Sequence, residues 1–554
     1  MTDRLAIALA QLNPTTGAID QNIDRIRAAR AEASARGADL MVCAAMGVSG
    51  QPVEQLALKP FFLDAVEQAV RDFAGETADG GPGVLVGAPW RMDGQVCNAV
   101  LMLDGGRVAT IRTKHVLADG SPFDERHLFA AGPVPGPVNF RGVRLGVMIA
   151  EDMATADVAE ALDECGAEIL VVAGGDAVDL DTQDRRINRA VARVAETGLP
   201  LLYVNQVGGH DELVFDGSSF VLGADRALRI HAPAFRESLA VARWERGDDD
   251  GWICHEGEMS GPPSGLAATY HALMLGLRDH VRKSRRNGVL VGLTDGVDSA
   301  LTAALAVDAL GPDRVHCILL PSPDTGREAL EDGGEVAELL GCKIDEIAIA
   351  PALRAADAML APAFAGRDPD KADDDLRGSL RGAVLLALAE KFDALALSSA
   401  NRTDVAVGRS MLHGDLWGGF AVLKDVYRTT VVALAAWRNR NLPDDAKGPA
   451  GRVVPERVIT DTAASGWRTG RDMGWVLPPG DLLDDILRCL LDQELTVAEI
   501  LDRDHDPVAV EQVWRSVVQA ECQRRQLPPG VRISGRSFGT GCRLPVVNGF
   551  MSIL

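Results

Sequence analysis

Short apolar runs alternate with longer amphipathic stretches through the first half of the chain. The short runs have the length and composition of buried strands, and the longer stretches have the spacing of helices that bury one face. Strands are predicted at 4–12, 39–45, 83–89, 98–105, 145–150, 168–174 and 199–206, and helices at 23–37 and 185–198. Strands that are apolar throughout lie in sheets covered on both faces, so the pattern predicts an α/β unit.

A stretch rich in acidic residues, glycine and proline separates this unit from a second one. It has no helical or strand periodicity, which predicts a linker over 246–264. Helical spacing at 265–284 and an apolar run at 288–293 then begin a second α/β pattern. Because 554 residues exceed one ordinary domain, we expect domains at 1–245 and 265–554.

The charge of the chain argues against polyanionic partners. It carries 79 acidic and 56 basic residues, a formal charge of −23, which opposes binding to nucleic acid or to an anionic membrane. No apolar run approaches the roughly 20 residues of a membrane span, and the start lacks the cationic leader of a signal peptide. The nine cysteines show no CxxC pairs or metal-ligand spacing, so we expect reduced thiols and a cytoplasmic protein.

Two segments of the first unit carry a family resemblance, namely "TKHVLADGSPFDERHLFAAG" (113–132) and "LYVNQVGGHDELVFDGSSF" (202–220). Both resemble the nitrilase-like glutaminase domain that is fused to glutamine-dependent NAD synthetases. The resemblance implies an α-β-β-α sandwich and a site of one glutamate, one lysine and one cysteine. In such a site the cysteine attacks the amide carbon, the carboxylate acts as general base, and the lysine stabilises developing charge.

Two of these three catalytic groups are missing from the chain. The family lysine corresponds to Lys114, but the glutamate position is Ala45 in "CAAMGVSGQP" (43–52) and the cysteine position is Ala150 in "RLGVMIAEDM" (144–153). A methyl group cannot form the covalent intermediate, so we expect the glutaminase site to be inactive. Lys114 is then expected to be a surface or salt-bridged lysine without a catalytic role.

The second unit begins with a strand, a glycine-containing loop and a helix in "VLVGLTDGVDSALTAALAVDALG" (289–311). Backbone N–H groups at such a helix start can hold pyrophosphate. The loop resembles the SGGxDS loop of ATP pyrophosphatases, and the segments at 401–426 and 523–539 resemble the NAD synthetase domain. The resemblance implies a Rossmann-like fold of the adenine nucleotide alpha hydrolase type. It also implies a reaction in which ATP adenylates the nicotinate carboxylate of deamido-NAD and ammonia then displaces AMP.

The resemblance supplies the candidate ligand residues of this second unit. The candidate nucleotide-binding residues are Thr294, Asp295, Gly296, Asp298, Ser299, Arg381 and Arg402. Asp298 and Asp404 are the candidate Mg²⁺ ligands, since carboxylates are the protein ligands that Mg²⁺ prefers. We expect weak binding of ATP and Mg²⁺ and no tightly bound metal.

Several of these positions depart from the family pattern. Asp295 stands where the family has the first glycine of Ser-Gly-Gly, and a carboxylate about 4 Å from a phosphate charge costs about 4 kcal/mol at an effective dielectric of 20. Arg402 and Asp404 replace a lysine and a glutamate. In the loop at 461–469, Asp461 and Gly466 replace another lysine and another glutamate.

Three functions remain open from the sequence. The lost groups favour a pseudoenzyme of the NAD synthetase family with a structural, regulatory or nucleotide-sensing role. The alternative is an ammonia-dependent NAD synthetase with an inactive glutaminase site, and a third is a ligase for another carboxylate. The resemblance also implies a homo-oligomer, an octamer in the family, and a pseudoenzyme would be able to assemble with an active synthetase.

Overall fold

The computed structural model describes residues 3–120, 122–179, 182–248, 251–367, 371–409, 418–464, 477–539 and 541–553. The chain forms two compact units, Met1–Pro263 and Ser264–Leu554. No helix among the described residues is both long enough and apolar enough to cross a membrane.

Among its described residues, the first unit contains two large mixed sheets, one two-stranded sheet and four α-helices. Its elements are β1 (Arg4–Gln11), α1 (Ile19–Ala35), β2 (Leu40–Cys43), α2 (Pro60–Glu76), β3 (Gly83–Met92), β4 (Gln95–Asp104), β5 (Arg107–Thr113), β6 (Val138–Phe140), β7 (Val143–Ile149), α3 (Ala156–Glu164), β8 (Ile169–Ala173), α4 (Thr182–Thr197), β9 (Leu201–Val204), β10 (Val207–His210), β11 (Leu213–Asp216), β12 (Phe220–Leu222), β13 (Leu228–His231), β14 (Ser238–Arg246) and β15 (Trp252–Cys254). One sheet has the order β15-β14-β1-β2-β3-β4-β5, the other has the order β13-β12-β9-β8-β7-β6, and β10 pairs with β11.

The two large sheets bury a shared core. Ile7 and Val42 from the first sheet lie in one apolar cluster with Val147 and Val171 from the second. The outer faces of the sheets are covered by helices α1 and α2 on one side and α3 and α4 on the other. The unit is therefore the four-layer α-β-β-α sandwich that the resemblance implies.

The predicted linker is partly a strand of this first unit. Within 246–264, β15 pairs with β14 through Trp244 and Cys254, and the side chains of Trp252 and Cys254 are buried. The sequence did not predict this strand, because three residues are too few to show the alternation of a strand. The acidic run that precedes it, at 248–250, made the whole stretch resemble a linker.

The second unit is built on a five-stranded parallel sheet. Its elements are α5 (Gly265–Lys283), β16 (Gly288–Leu293), α6 (Val297–Leu310), β17 (Val315–Leu319), α7 (Arg327–Leu340), β18 (Lys343–Glu346), α8 (Ala350–Phe364), α9 (Lys371–Phe392), β19 (Ala394–Ser398), α10 (Arg402–Val407), β20 (Phe420–Ala421), α11 (Arg428–Arg440), α12 (Glu456–Ala464), α13 (Gly480–Leu487), α14 (Val497–Leu501), α15 (Pro507–Gln519) and α16 (Glu521–Arg524). The sheet order is β18-β17-β16-β19-β20, with β16 at the centre.

The connections of this sheet reverse direction beside its central strand. The chain passes from β16 to β17 and β18 on one side, and then crosses to β19 and β20 on the other side of β16. In open parallel sheets, ligands bind at the carboxyl ends of the strands next to such a reversal. A ligand site is therefore expected at the loops that follow β16, β17 and β19.

Candidate functional site

The three positions of the lost amidase triad lie at strand ends of the first unit. Ala45 follows β2, Lys114 follows β5 and Ala150 follows β7. A buried carboxylate holds two of these segments together, because Asp152 accepts hydrogen bonds from the backbone N–H groups of Ile149, His115 and Val116 at 3.0, 3.0 and 2.7 Å.

Lys114 is a buried lysine with two carboxylate partners. Its side chain is 1% exposed, and its Nζ donates hydrogen bonds to Glu125 and Glu151. Burial by itself would lower the pKa of Lys114, but the two carboxylates outweigh burial and raise that pKa. Burial raises the pKa of Glu151. Lys114 is therefore salt-bridged and not at the surface.

The Lys114 cluster lacks any group that could form an acyl intermediate. Ala45 is buried and its N–H donates to the carbonyl of Gly174 at 2.8 Å. Ala150 keeps a positive φ of 44°, a conformation that is uncommon for a non-glycine residue and costs free energy. The tight turn after β7 is thus present without a nucleophile on it.

A cavity of about 280 Å³ lies beside this cluster. Glu125 forms part of its wall, and the remaining lining residues are mostly apolar, among them Met46, Phe123 and Phe129. None of the described residues that line it is a cysteine, serine, threonine or lysine. Its polar lining residues are carboxylates, amides and His127, so within the described lining it offers space for a small molecule without a thiol or hydroxyl nucleophile.

In the second unit, a cavity of about 300 Å³ lies at the carboxyl ends of β16, β17 and β19. Its walls come from the loops after these strands, from the first half of α7 and from α9, and the lining residues include Thr294, Asp295, Leu320, Ser322, Thr325, Arg381 and Ser398. Arg381 is fixed there by hydrogen bonds from Nε to the carbonyl of Leu320 at 3.3 Å and from Nη2 to Ser322 Oγ at 3.4 Å.

The loop between β16 and α6 is held by its own hydroxyl groups. The N–H of Thr294 donates to Ser299 Oγ at 3.1 Å, and the N–H of Gly296 donates to Thr294 Oγ1 at 3.2 Å. Ser299 Oγ in turn lies 3.0 Å from the carbonyl oxygen of Gly296. Asp295 is exposed and is one of the residues that line the cavity, so it adds negative charge there.

The two candidate Mg²⁺ ligands lie together at the starts of α6 and α10. Asn401 Nδ2 donates to Asp298 at 2.9 Å and to Asp404 at 2.6 Å. Arg428 Nη1 lies 3.2 Å from Asp298 Oδ2 and 3.9 Å from Asp404 Oδ2. Burial, followed by the nearby Asp404 carboxylate, raises the pKa of Asp298 to about 6. The two carboxylates repel each other, and Arg428 partly compensates that repulsion.

This donor set fits a magnesium ion that arrives with a nucleotide. Mg²⁺ commonly binds one or two protein carboxylates and completes its coordination with phosphate oxygens and water. Within the described part of the chain, no group of three or more His, Cys, Asp or Glu residues is arranged to hold a metal. Asp298 and Asp404 supply two carboxylates, which is the number that Mg²⁺ commonly takes from a protein when phosphate oxygens and water complete its coordination.

Arg402 does not line the cavity, contrary to its prediction as a nucleotide ligand. Its side chain is 0% exposed and forms ion pairs with Asp425 and Asp492. Its Nη2 also donates to the carbonyl of Arg536 at 2.9 Å. The planar guanidinium uses two separate nitrogen atoms to reach Asp425, Asp492 and the carbonyl of Arg536, a geometry that the single ammonium nitrogen of a lysine cannot reproduce. Arg402 therefore stabilises the C-terminal segment in this structure.

The predictions for the loop at 461–469 fall on residues outside the described part of the chain. Asp461 belongs to the last turns of α12, but its side chain is outside the described residues, and so is all of Gly466.

The sequence did not predict three side chains that pair with the candidate site residues. Glu125 and Glu151 sit within segments that were already compared with the amidase family, yet no local signal says that both reach Lys114. Arg428 begins α11, and its approach to Asp298 depends on folding across 130 residues of chain.

Each of the two units matches the model of a known protein family. The carbon-nitrogen hydrolase family model matches residues 6–250, and the NAD synthase model matches residues 269–528. A glutamine-dependent NAD(+) synthetase from Rhodobacter capsulatus is 38% identical over 548 residues, which cover 99% of each chain. This chain belongs to the glutamine-dependent NAD synthetase family.

Solved structures of NAD synthetases extend the likeness to the whole fold. The Acinetobacter baumannii enzyme, determined in complex with adenosine diphosphate, is 33% identical, with a TM-score of 0.78 and 99% of each chain covered. The Cytophaga hutchinsonii enzyme is 17% identical with a TM-score of 0.82, which speaks for the fold alone. The family assignment and the α/β fold predicted from the sequence are thereby confirmed.

Proposed function

We propose that this chain is an NAD synthetase that uses free ammonia. It would convert deamido-NAD, ATP and ammonia into NAD, AMP and pyrophosphate, without glutaminase activity in its nitrilase-like domain. The observation that carries the proposal is the contrast between the two units. Ala45 and Ala150 leave the first without base or nucleophile, whereas Asp298 and Asp404 converge beside the nucleotide loop of the second.

The relatives support a synthetase more than a pseudoenzyme. Glutamine-dependent NAD synthetases match 98 to 99% of this chain at 31 to 38% identity, and the sequence-based expectation of lost synthetase activity finds no support among them. The ammonia-dependent alternative fits them better. The adenosine diphosphate held by the Acinetobacter baumannii relative supports an adenine nucleotide as the ligand of this fold.

The proposed reaction has two steps that balance without a redox partner. The nicotinate carboxylate of deamido-NAD attacks the α-phosphorus of ATP, and pyrophosphate leaves as the acyl adenylate forms. Ammonia then attacks the acyl carbon, AMP departs, and one proton is released. Both steps develop charge on phosphate oxygens, so the chain must supply cations and hydrogen-bond donors around them.

Described residues provide several of these groups. Arg381 faces the cavity and would contact the nucleotide, and Ser322 and Ser398 add hydroxyl groups to the same wall. The N–H groups of Thr294 and Gly296 point at loop hydroxyls in the free protein, so a bound phosphate would have to exchange places with those hydroxyls. Asp295 opposes the phosphates and would weaken ATP binding.

Magnesium would be held by Asp298 and Asp404 and would neutralise charge on the phosphates. In the absence of nucleotide, Arg428 would pair with the two carboxylates in place of a metal ion, and Mg-ATP binding would displace it from them.

Homo-oligomerisation, including the octamer implied by the family, stays a prediction.

The experiment is an assay of NAD formation from deamido-NAD, ATP and Mg²⁺ with saturating ammonium chloride. We expect turnover that depends on ammonia and disappears in Asp298→Asn, with Asp313→Asn, a substitution of a residue between α6 and β17, as the matched control. If the wild type binds ATP but forms no NAD at any ammonia concentration, the pseudoenzyme interpretation replaces this one.

A further inference from the structure

Two cysteines of the second unit lie side by side outside the cavity. Cys317 is in the middle of β17, and Cys342 lies between α7 and β18. Their Sγ atoms are 3.5 Å apart. Neither thiol has a role in the proposed reaction.

The topology of the sheet brings these cysteines together. β17 and β18 pair in parallel with Cys317 opposite Ile344, so Cys342 enters the strand two residues before that position. Helix α7 ends at Leu340, and the next residue, Gly341, has a φ of 68° that turns the chain sharply back toward the sheet. The closeness of the thiols therefore follows from a turn and a strand register that fix both backbones.

The two thiols differ in access to solvent. Cys317 is fully buried, whereas Cys342 is partly exposed. The contact with the Cys317 thiol lowers the pKa of Cys342, which favours the thiolate at the accessible sulfur. Thiolates are the nucleophiles of thiol oxidation, so Cys342 is placed to react first and Cys317 to resolve the product.

We propose that Cys317 and Cys342 form an oxidisable pair that closes to an intramolecular disulfide when a peroxide reaches the protein. The thiolate of Cys342 attacks one oxygen of hydrogen peroxide, the O–O bond breaks, and a sulfenic acid and hydroxide form. The thiol of Cys317 then attacks the sulfenic sulfur, and water leaves with the thiol proton. The peroxide is reduced to water, and the two sulfurs are oxidised to one disulfide. Thiol reductants reverse the bond.

The disulfide would tie a wall of the cavity to the central sheet. Because a disulfide bond is about 2.05 Å long, the sulfurs must approach by about 1.5 Å for the bond to form. The bond would join the end of α7 to β17, and both elements line the cavity, through Leu330 and Leu319. Linking two cysteines 25 residues apart also restrains the unfolded chain, so oxidation is expected to stabilise the unit.

The test is peroxide treatment of the full-length protein, followed by peptide mapping without reduction. We expect one cross-linked peptide that joins Cys317 to Cys342 and has lost two hydrogen atoms. We also expect a raised thermal unfolding midpoint that dithiothreitol returns to its starting value. Hydrogen exchange in α7 should slow in the oxidised form.

Variants make the assignment specific. Cys342→Ser and Cys317→Ser should each abolish the cross-link and the rise in unfolding midpoint, whereas Cys522→Ser, which removes an exposed thiol, should change neither. The proposal is overturned if peroxide drives Cys342 to sulfinic acid without a cross-link. It is also overturned if oxidation consumes only Cys165 and Cys522 while the pair stays reduced.

Discussion

Lys114 donates a hydrogen bond to Glu151, the residue that directly follows the alanine in the nucleophile position. Together with Glu125, this contact keeps a buried ammonium group in place although the base and the nucleophile it would serve are absent. The cluster now has a structural role, because an unpaired charge in such a site would be costly. The ion pairs of Lys114 are thus present in a site where the base and nucleophile positions are Ala45 and Ala150.

Removal of the Lys114 charge should destabilise the protein without touching synthesis of NAD. Lys114→Met leaves the buried Glu125 and the partly exposed Glu151 without their cation, and breaking a buried pair in this way costs about 3–5 kcal/mol. Chemical denaturation measures the loss, with exposed Lys343→Met as the control. Ammonia-dependent turnover per folded molecule should stay unchanged, and a fall in that turnover would give Lys114 a catalytic role.

The elements of the fold could be predicted because their signals are local. Predicted strands at 4–12 and 145–150 correspond to β1 and β7 within two residues at each end, since each is a continuous apolar run. Strand β15 was missed because three residues carry no period.

The site could be predicted only in part. Of the residues that motif resemblance suggested, Thr294 and Arg381 line the cavity, whereas Asp298 is not a lining residue and pairs with Asn401; their role as ligands stays a prediction. Motif resemblance failed for Arg402, because a position in a motif does not say which way a long side chain turns or which carboxylates surround it. Asp425 and Asp492, which hold Arg402, are 23 and 90 residues away along the chain.

Asp295 is expected to limit ATP affinity through its charge. Asp295→Asn removes the charge and keeps the size, and Asp295→Gly removes both. Each variant should tighten ATP binding by about tenfold, which corresponds to about 1.4 kcal/mol, because the exposed rim is partly screened. Isothermal titration with Mg-ATP measures the change. Equal affinity in the wild type and both variants would show that Asp295 points away from the bound phosphates.

Arg402 and Arg381 should respond differently to the same conservative change. Arg402→Lys loses contacts to Asp425 and Asp492 and should lower stability by about 2–4 kcal/mol with little direct effect on ATP affinity. Arg381→Lys should weaken ATP binding and leave stability nearly unchanged. Thermal unfolding and nucleotide titration on both variants separate the two roles. A loss of ATP affinity in a well-folded Arg402→Lys protein would restore Arg402 as a ligand.

Lys424 should make stability rise with pH. Burial, partly opposed by Asp425 and reinforced by Arg532, lowers the pKa of Lys424 from 10.5 to about 8. Below pH 8, Lys424 is charged in both the folded and the unfolded protein. The folded protein is then destabilised by the full free energy of burying the charged ammonium group. Between pH 8 and 10.5 the folded state loses its proton first, so the folded protein gains stability, by up to about 3 kcal/mol.

The matching variant for this pH effect is Lys424→Met, which cannot titrate. We expect the free energy of unfolding of the wild type to increase relative to this variant as pH rises from 7 to about 10. Parallel pH profiles for the two proteins would mean that Lys424 has an ordinary pKa in the folded state.

The source of the amide nitrogen in the product tests the central claim most directly. The protein is incubated with deamido-NAD, ATP, Mg²⁺, amide-¹⁵N-labelled glutamine and unlabelled ammonium chloride, and the NAD formed is analysed by mass spectrometry. With Ala45 and Ala150 in place of the base and the nucleophile, we predict NAD that carries only unlabelled nitrogen, and no NAD when glutamine is the sole nitrogen source. NAD that carries the ¹⁵N label would show an active glutaminase site and contradict the account.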